Sequence, residues 1–352
     1  MERLFDWEAI SEELIGAYQG KGVLGRAPYE PSLIFKMLFI SYLYGVSERQ
    51  VEQLVNYHIV IKWFVGLAVD EAAPDHSTLT TFKNRFLNYE QWQRLKRIFD
   101  QVIEQAMGQG IEVGQLQIVD SVHTCADVNL DKDEKREKQG KPPRDPDARV
   151  VNKGEREVVE ADGKRRKKKL RYKGYKTHVS LNAQTGIVTS ILPSLGNKAD
   201  NKAFPDLLVH DQALELPTTI YGGDKAYDDT DIYARLEEKG LQIGINLRKF
   251  RTEKKDANKE RWITLEATPS HQQATAQRYR VEQPFGPLKQ KHGFGRCRYL
   301  GLVRYRIQSF FTFLLSNCKR IIKLLTGLTF RPQAKGRRAE VFQSVYATLP
   351  WV

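Results

Sequence analysis

Apolar positions over the first hundred residues recur with a helical period. Pro31–Tyr44 (PSLIFKMLFISYLY) is apolar on most faces, the pattern of a buried helix, and Gly45 stops it. Ser47-Glu48-Arg49-Gln50 has the form of a capping box, with Gln50 three residues after Ser47, and Val51 and Leu54 carry the apolar stripe onward. A further helix is expected to start at Ser77 and run through Phe82 and Phe86. Short helices between tight turns fit a helix-turn-helix-like DNA-binding module, and they fit a small helical bundle as well.

After Gly110 the pattern changes. Gln115–Val122 (QLQIVDSV) reads as a strand, and Arg171–Leu181 and Ile187–Leu192 read as two more across a turn-like segment at 182–186. Residues 202–214 suit a helix, 218–223 a short strand, 229–239 a helix and 241–246 a strand. That alternation predicts an α/β domain built on a mixed sheet. The stretch at about 127–170 has almost no core-forming residues and reads as a charged insertion, partly disordered or ordered on binding. Its basic run at 164–169 suits phosphate contacts or a solvated loop. A helical stripe returns at Val303, Ile307, Phe310, Phe311, Leu314, Cys318, Ile321 and Leu325.

Charge narrows the class. The 352 residues carry a net charge of +13, and from Gln283 to the end 13 Lys and Arg face a single acid, Glu340. An excess so concentrated favours a surface for nucleic acid, since phosphate neutralisation drives such binding. Three cysteines without a CxxC spacing argue against a disulfide scaffold and a cysteine zinc site. No stretch approaches the roughly 18 apolar residues of a membrane span. The start, MERLFDWEAI, has no apolar signal core, so a cytoplasmic protein is expected.

Two aspartates stand at strand ends. Asp120 shares a face with Leu116 and Ile118, where a carboxylate is costly to bury unless it is paired or binds a cation. Asp224 follows the 218–223 strand, and Gly222 and Gly223 before it leave room for a backbone or a phosphate to come close. Converging carboxylates from separate elements suit a hard divalent cation. Further on, Arg278, Glu282 and Lys289 share one face if the segment is a single helix, which suits a site or a salt-bridged surface equally. Pro284 and Pro287 require that helix to begin near Glu282 or to kink after it.

Asp120, Asp224 and the R-x-x-x-E-x-x-x-x-x-x-K run at Arg278, Glu282 and Lys289 resemble the DDE transposases of bacterial insertion sequences. Thr275 stands where the family often has a tyrosine. Asp145-Pro146-Asp147-Ala148-Arg149, Tyr175-Lys176-Thr177-His178, Gly196-Asn197 with Asp200, Arg26-Ala27-Pro28-Tyr29 and Pro74-Asp75-His76-Ser77-Thr78 are similar to other segments of these enzymes. The resemblance implies a helical DNA-binding domain at 1–110, a ribonuclease-H-like catalytic domain at 111–330 and a basic tail at 331–352. It implies two Mg²⁺ or Mn²⁺ ions held by Asp120, Asp224 and Glu282, for cleavage of transposon ends and strand transfer into target DNA. Arg278, Lys289, Lys176, Arg296 and Arg298 are expected to bind DNA, and His123 to be structural. The expected partners are double-stranded DNA and a second copy in a homodimer, with no membrane, at the bacterial nucleoid. A non-catalytic DNA-binding protein and a nuclease without strand transfer remain as alternatives.

Overall fold

The computed structural model describes residues 5–18, 27–159, 165–248 and 264–328. The expected tail at 331–352, Lys164 of the basic run and Arg26 lie outside the described residues. Six helices come first: α1 (Trp7–Ile15), α2 (Pro31–Tyr44), α3 (Glu48–Tyr57), α4 (Ile59–Val65), α5 (His76–Arg85) and α6 (Tyr89–Gly108). Pro31 opens α2, and Gly45 closes it at φ 68°, a backbone state open to glycine at little cost. Twelve of its fourteen residues are buried, so packing rather than capping holds it. The capping box at Ser47 and Gln50 is present. The start of α5 differs from expectation. Asp75, not Ser77, is the cap, its carboxylate accepting the Ser77 N–H at 2.7 Å.

The α/β part contains β1 (Leu116–Cys125), α7 (Leu130–Lys138), β2 (Arg149–Val159), β3 (Arg165–Asn182), β4 (Val188–Leu195), α8 (Phe204–Ala213), β5 (Ile220–Gly223), α9 (Thr230–Glu238) and β6 (Gln242–Ile245). It closes with α10 (Pro269–Gln277), α11 (Phe285–Lys291) and α12 (Leu302–Thr326). The strands form one mixed sheet. β1 is antiparallel to β3 and parallel to β5, β4 flanks β3, and β6 runs parallel to β5. This is the mixed sheet flanked by helices, preceded by a helical region, that the sequence leads one to expect.

The insertion is more ordered than its composition suggests. It contains α7, and β2 pairs with the first half of β3. Valines at 150, 151, 158 and 159 supply β propensity without a core pattern, which hides the strand from a reading based on burial. A buried ion pair, Lys173 to Asp133 at 2.9 Å, ties α7 to β3. Asp145 is fully buried and accepts the Tyr175 hydroxyl at 2.7 Å, while Asp147 accepts the Leu302 N–H at 2.9 Å at the start of α12.

One hydrophobic cluster runs from α1 to α12 and includes one face of the sheet. Phe310 and Phe311 of α12 meet Phe35 of α2, and Phe310 also meets Phe99 of α6. Tyr42 stacks on Phe311 with ring centroids 5.3 Å apart. On the other side of α12, Asn317 binds both the N–H and the C=O of Val188 in β4. A second cluster, from α8 and α9, covers the opposite sheet face.

The C-terminal end of α11 is pinned by His292, which donates from Nδ1 to the Tyr42 carbonyl at 3.0 Å and receives the Lys319 ammonium at Nε2. Burial, with Lys319 beside it, pulls its pKa down to about 4. The folded state therefore favours the neutral ring. Its stabilising contribution is complete above about pH 6.5 and is lost as pH falls through about 4. Urea unfolding of wild type against His292→Gln should show an extra loss on the order of 2 kcal/mol in wild type across that interval. Parallel curves for the two proteins would remove His292 as the cause.

Candidate active site

Parallel register sets the first two carboxylates side by side. Val119 pairs with Gly223, and the next step along both strands brings Asp120 level with Asp224. β1 itself continues to Cys125 against β3, so Asp120 marks the end of the parallel pairing and not the end of the strand as expected. Asp120 accepts the Ser121 N–H at 2.7 Å, and Asp224 caps the short turn Lys225–Tyr227 through the Ala226 N–H at 2.8 Å. Burial raises the Asp120 pKa to about 7, and the charges of Asp224, Asp200 and Glu282 add to the rise, against the lowering bond from Ser121. The three motif carboxylates thus share one electrostatic neighbourhood. The space beside the two glycines is filled by protein: the Ala274 methyl of α10 lies 3.0 Å from where a Cβ on Gly222 would sit, and the Tyr227 ring crowds Gly223.

The third motif is not a single helix. α10 ends at Gln277, a tight 3₁₀ turn covers Arg278–Val281, and α11 starts only at Phe285, with Pro284 as its cap. The single-helix face for Arg278, Glu282 and Lys289 is therefore broken, because Pro284 and Pro287 cannot continue the hydrogen-bond ladder. Buried Val281 and the Arg280 bond to the Ala183 carbonyl at 2.7 Å anchor the turn to the sheet. Glu282 is exposed, and Arg278 holds its carboxylate at 3.0 Å.

A fourth carboxylate joins the group. Asp200 lies 3.2 Å from the Lys176 ammonium and 3.1 Å from His178 Nδ1. Burial opposes its charge, yet the bond from His178, the Lys176 cation and the Ser121 hydroxyl hold it well below the usual carboxylate range. Burial in turn keeps His178 below its ordinary value. The sequence singled out Asp200 only through a loose motif. Its signal was the register, since Lys176 and His178 alternate on β3 opposite β1.

The remaining basic candidates part company. Lys176 is buried, and its ammonium also donates to the Lys198 carbonyl at 3.0 Å, which turns it inward. Lys289 is half-buried on α11. Arg296 is exposed and paired with Asp127 at 2.6 Å. Arg298 binds the Ser41 hydroxyl at 2.9 Å and the Val46 carbonyl at 3.2 Å, and its guanidinium lies over the Tyr42 ring. It bridges the chain after α11 to α2, and its expected contact with DNA is put to the test below. His123 packs edge-on against Tyr172. Cys297 and Cys318 are buried free thiols, and Cys125 is an exposed one.

Among the described residues, Glu52, Asp75 and His76 alone bring three such ligand atoms within 4.8 Å of one another. Their arrangement is an ion-pair network. His76 Nδ1 lies 2.8 Å from Glu52, and Arg49 faces His76 Nε2 at 3.2 Å.

Residues 138–318, more than half of the chain, match the transposase DDE domain family. The chain belongs to that family. Asp224 and Glu282 fall within the matched stretch and Asp120 ahead of it, while residues 1–85 of this DDE transposase match a transposase domain, DUF772. Among solved structures it is similar to a piggyBac transposase synaptic complex with hairpin DNA, at 10% identity and a TM-score of 0.42, over 100% of this chain and 80% of that one. It also matches the Mos1 transposase paired-end complex with left transposon end (8% identity, TM-score 0.21, 75% and 79% coverage). A Mos1 mariner paired-end complex with Mn matches at 9% identity and a TM-score of 0.21, over 90% and 86%. Similarity this slight bears on neither the fold nor the site. No helix among the described residues is long and apolar enough to cross a membrane.

The internal partners of Arg298 have a measurable consequence. Arg298→Gln in the transposase should cost about 1–3 kcal/mol in denaturant unfolding and leave the salt dependence of DNA binding unchanged. A flatter salt dependence with unaltered stability would return this side chain to the DNA surface.

Proposed function

We propose that Asp120, Asp224 and Glu282 are the catalytic carboxylates of this transposase and hold two divalent ions, Mg²⁺ by preference. The observation that carries the reading is the Asp120 carboxyl, level with Asp224 across parallel strands and raised to about 7 by burial and by like charges. A bound cation relieves both causes of that rise. Oxygen donors from two strands and one turn fit Mg²⁺, which takes hard ligands. Glu282 must release Arg278 to complete the set, and its exposed position leaves the side chain free to turn. The ions, once held, supply Lewis acidity for phosphodiester hydrolysis and transfer at the developing 3′ oxygen.

The chain's own residues do the rest. Asp200 positions Lys176 and His178 and keeps the Asp120 wall of the site in register through Ser121. Arg278, freed from Glu282, becomes available to a phosphate. We assign transposon-end and target duplex DNA as substrates, the helical region to about residue 110 as the DNA-binding part, and the nucleoid as the working place. Asp120→Asn, Asp224→Asn and Glu282→Gln should each lower Mg²⁺-dependent cleavage by about 10⁴-fold or more, with DNA binding retained. Cleavage at wild-type rate in any one of them removes that residue from the set.

Joining two transposon ends in one reaction calls for two copies, so we assign a homodimer. α4 supplies a surface for it: Ile59, Val60 and Trp63 are each about 60% exposed on one side of a short helix. Sedimentation of Trp63→Asp should show monomer under conditions where wild type is dimeric. A dimer that survives this change is held elsewhere.

A further inference from the structure

We propose that Asn246 and Lys225 hold a DNA phosphate within about two nucleotides of the reacting one, at a station beside the carboxylates that needs no metal ion. Which phosphate reacts rests on the carboxylate assignment above. Three parallel strands, β1, β5 and β6, stop pairing with one another at the same edge of the sheet. Gly223 pairs with Ile245, and the Asn246 N–H donates to the Gly223 carbonyl at 3.1 Å, so the next step brings Asn246 level with Asp224. Asp120, Asp224 and Asn246 thus make one row across the carboxyl ends of three strands, the edge at which open α/β sheets bind ligands.

Alternation along the strands puts the row on one face. Gly222 and Gly244 face the Ala274 methyl of α10, and Asp224 and Asn246 each stand two residues further along. A contact from α10 fixes the side: the Thr275 hydroxyl donates to Asn246 Oδ1 at 3.0 Å. With Oδ1 engaged, the amide presents its Nδ2 hydrogens, which have no acceptor among the described residues. The order of two carboxylates and then a donor suits a strand of phosphates. A third carboxylate would repel the next phosphate, whereas an amide N–H donates to its oxygens.

Lys225 adds the charge. It follows Asp224, is exposed, and pairs with no acid among the described residues. Arg248 Nε donates to the Lys225 carbonyl at 2.9 Å, and the Arg248 N–H donates to the Asp228 carboxylate at 2.9 Å. Those two bonds fold the turn after β5 against the exit of β6, which brings Lys225 beside the chain that carries Asn246. Adjacent strands lie about 4.8 Å apart, so β6 is about 7 Å from the midpoint between β1 and β5. One strand of a duplex rises about 3.4 Å per nucleotide, and about two nucleotides cover that distance.

Binding in Ca²⁺, without cleavage, tests the contact, so it and the carboxylate assignment can fail separately. The full chain is titrated onto a fluorescent transposon-end duplex, and onto copies with one neutral methylphosphonate at successive positions around the cut. Lys225→Gln should lower the slope of log K against log salt by about 1, and Lys225→Arg should keep it. Lys239→Gln, an exposed cation just past α9 at the opposite edge of the sheet, should leave the slope unchanged. One methylphosphonate within about two nucleotides of the cut should weaken wild-type binding about tenfold, and should cost Lys225→Gln and Asn246→Ala about twofold at most. Asn246→Asp, which keeps an acceptor for Thr275, should bind more weakly than Asn246→Ala, an order that simple loss of packing would reverse. An unchanged slope in Lys225→Gln, or a methylphosphonate penalty equal in wild type and both variants, overturns the proposal. Wild-type cleavage by Asp120→Asn with the coupling intact strikes the carboxylate assignment and leaves the phosphate contact standing.

Discussion

Carboxylates gathered where two parallel strands stop pairing repel one another, and the surrounding packing holds them there. The parallel pairing of β1 with β5 brings Asp120 and Asp224 together, and close helix packing prevents them from drifting apart. That packing depends on Gly222 and Gly244, because the Ala274 methyl of α10 occupies the space that side chains on them would need. Arg280 and Val281 then fasten the following turn to the sheet, which delivers Glu282 to the same neighbourhood. Protein partners do only part of the neutralising: the Lys176 cation and the His178 ring serve Asp200, and Arg278 serves Glu282, while Asp120 is left with a backbone N–H.

Much of the fold was legible in the sequence because apolar periodicity and capping chemistry are local. The buried α2, its glycine stop, the capping box and the strand–helix alternation after Gly110 all follow from spacing alone. Asp120 and Asp224 stood out for a related reason, since a polar residue in an apolar row needs a partner. What escaped was set by tertiary contact. β2 has no apolar alternation to announce it, and its partner strand supplies the order. Asp200 acts through Lys176 and His178, whose convergence depends on strand register. Arg298 looked like part of a basic surface, but its position on the chain says nothing about Ser41 and Tyr42 lying beneath it.

The break in the third motif shows where sequence spacing misleads. Spacing at i, i+4 and i+11 describes a face only if the helix is continuous, and Pro284 and Pro287 prevent that. The 3₁₀ turn keeps Arg278 and Glu282 together and sends Lys289 off on α11. The motif survives as a sequence of three residues while its geometry is that of a hinge between two short helices.

The continuous core from α1 to α12 limits how this transposase can change over generations. A region that owns its core can be exchanged between relatives as a block. Here Phe310 and Phe311, far along the chain, complete the packing of α2 and α6, so a recombined N-terminal region would arrive with its aromatic sockets unfilled. Change in the helical region is therefore confined to residue-by-residue substitution on solvent-facing positions. The helical region and the sheet behind it are bound to be inherited together.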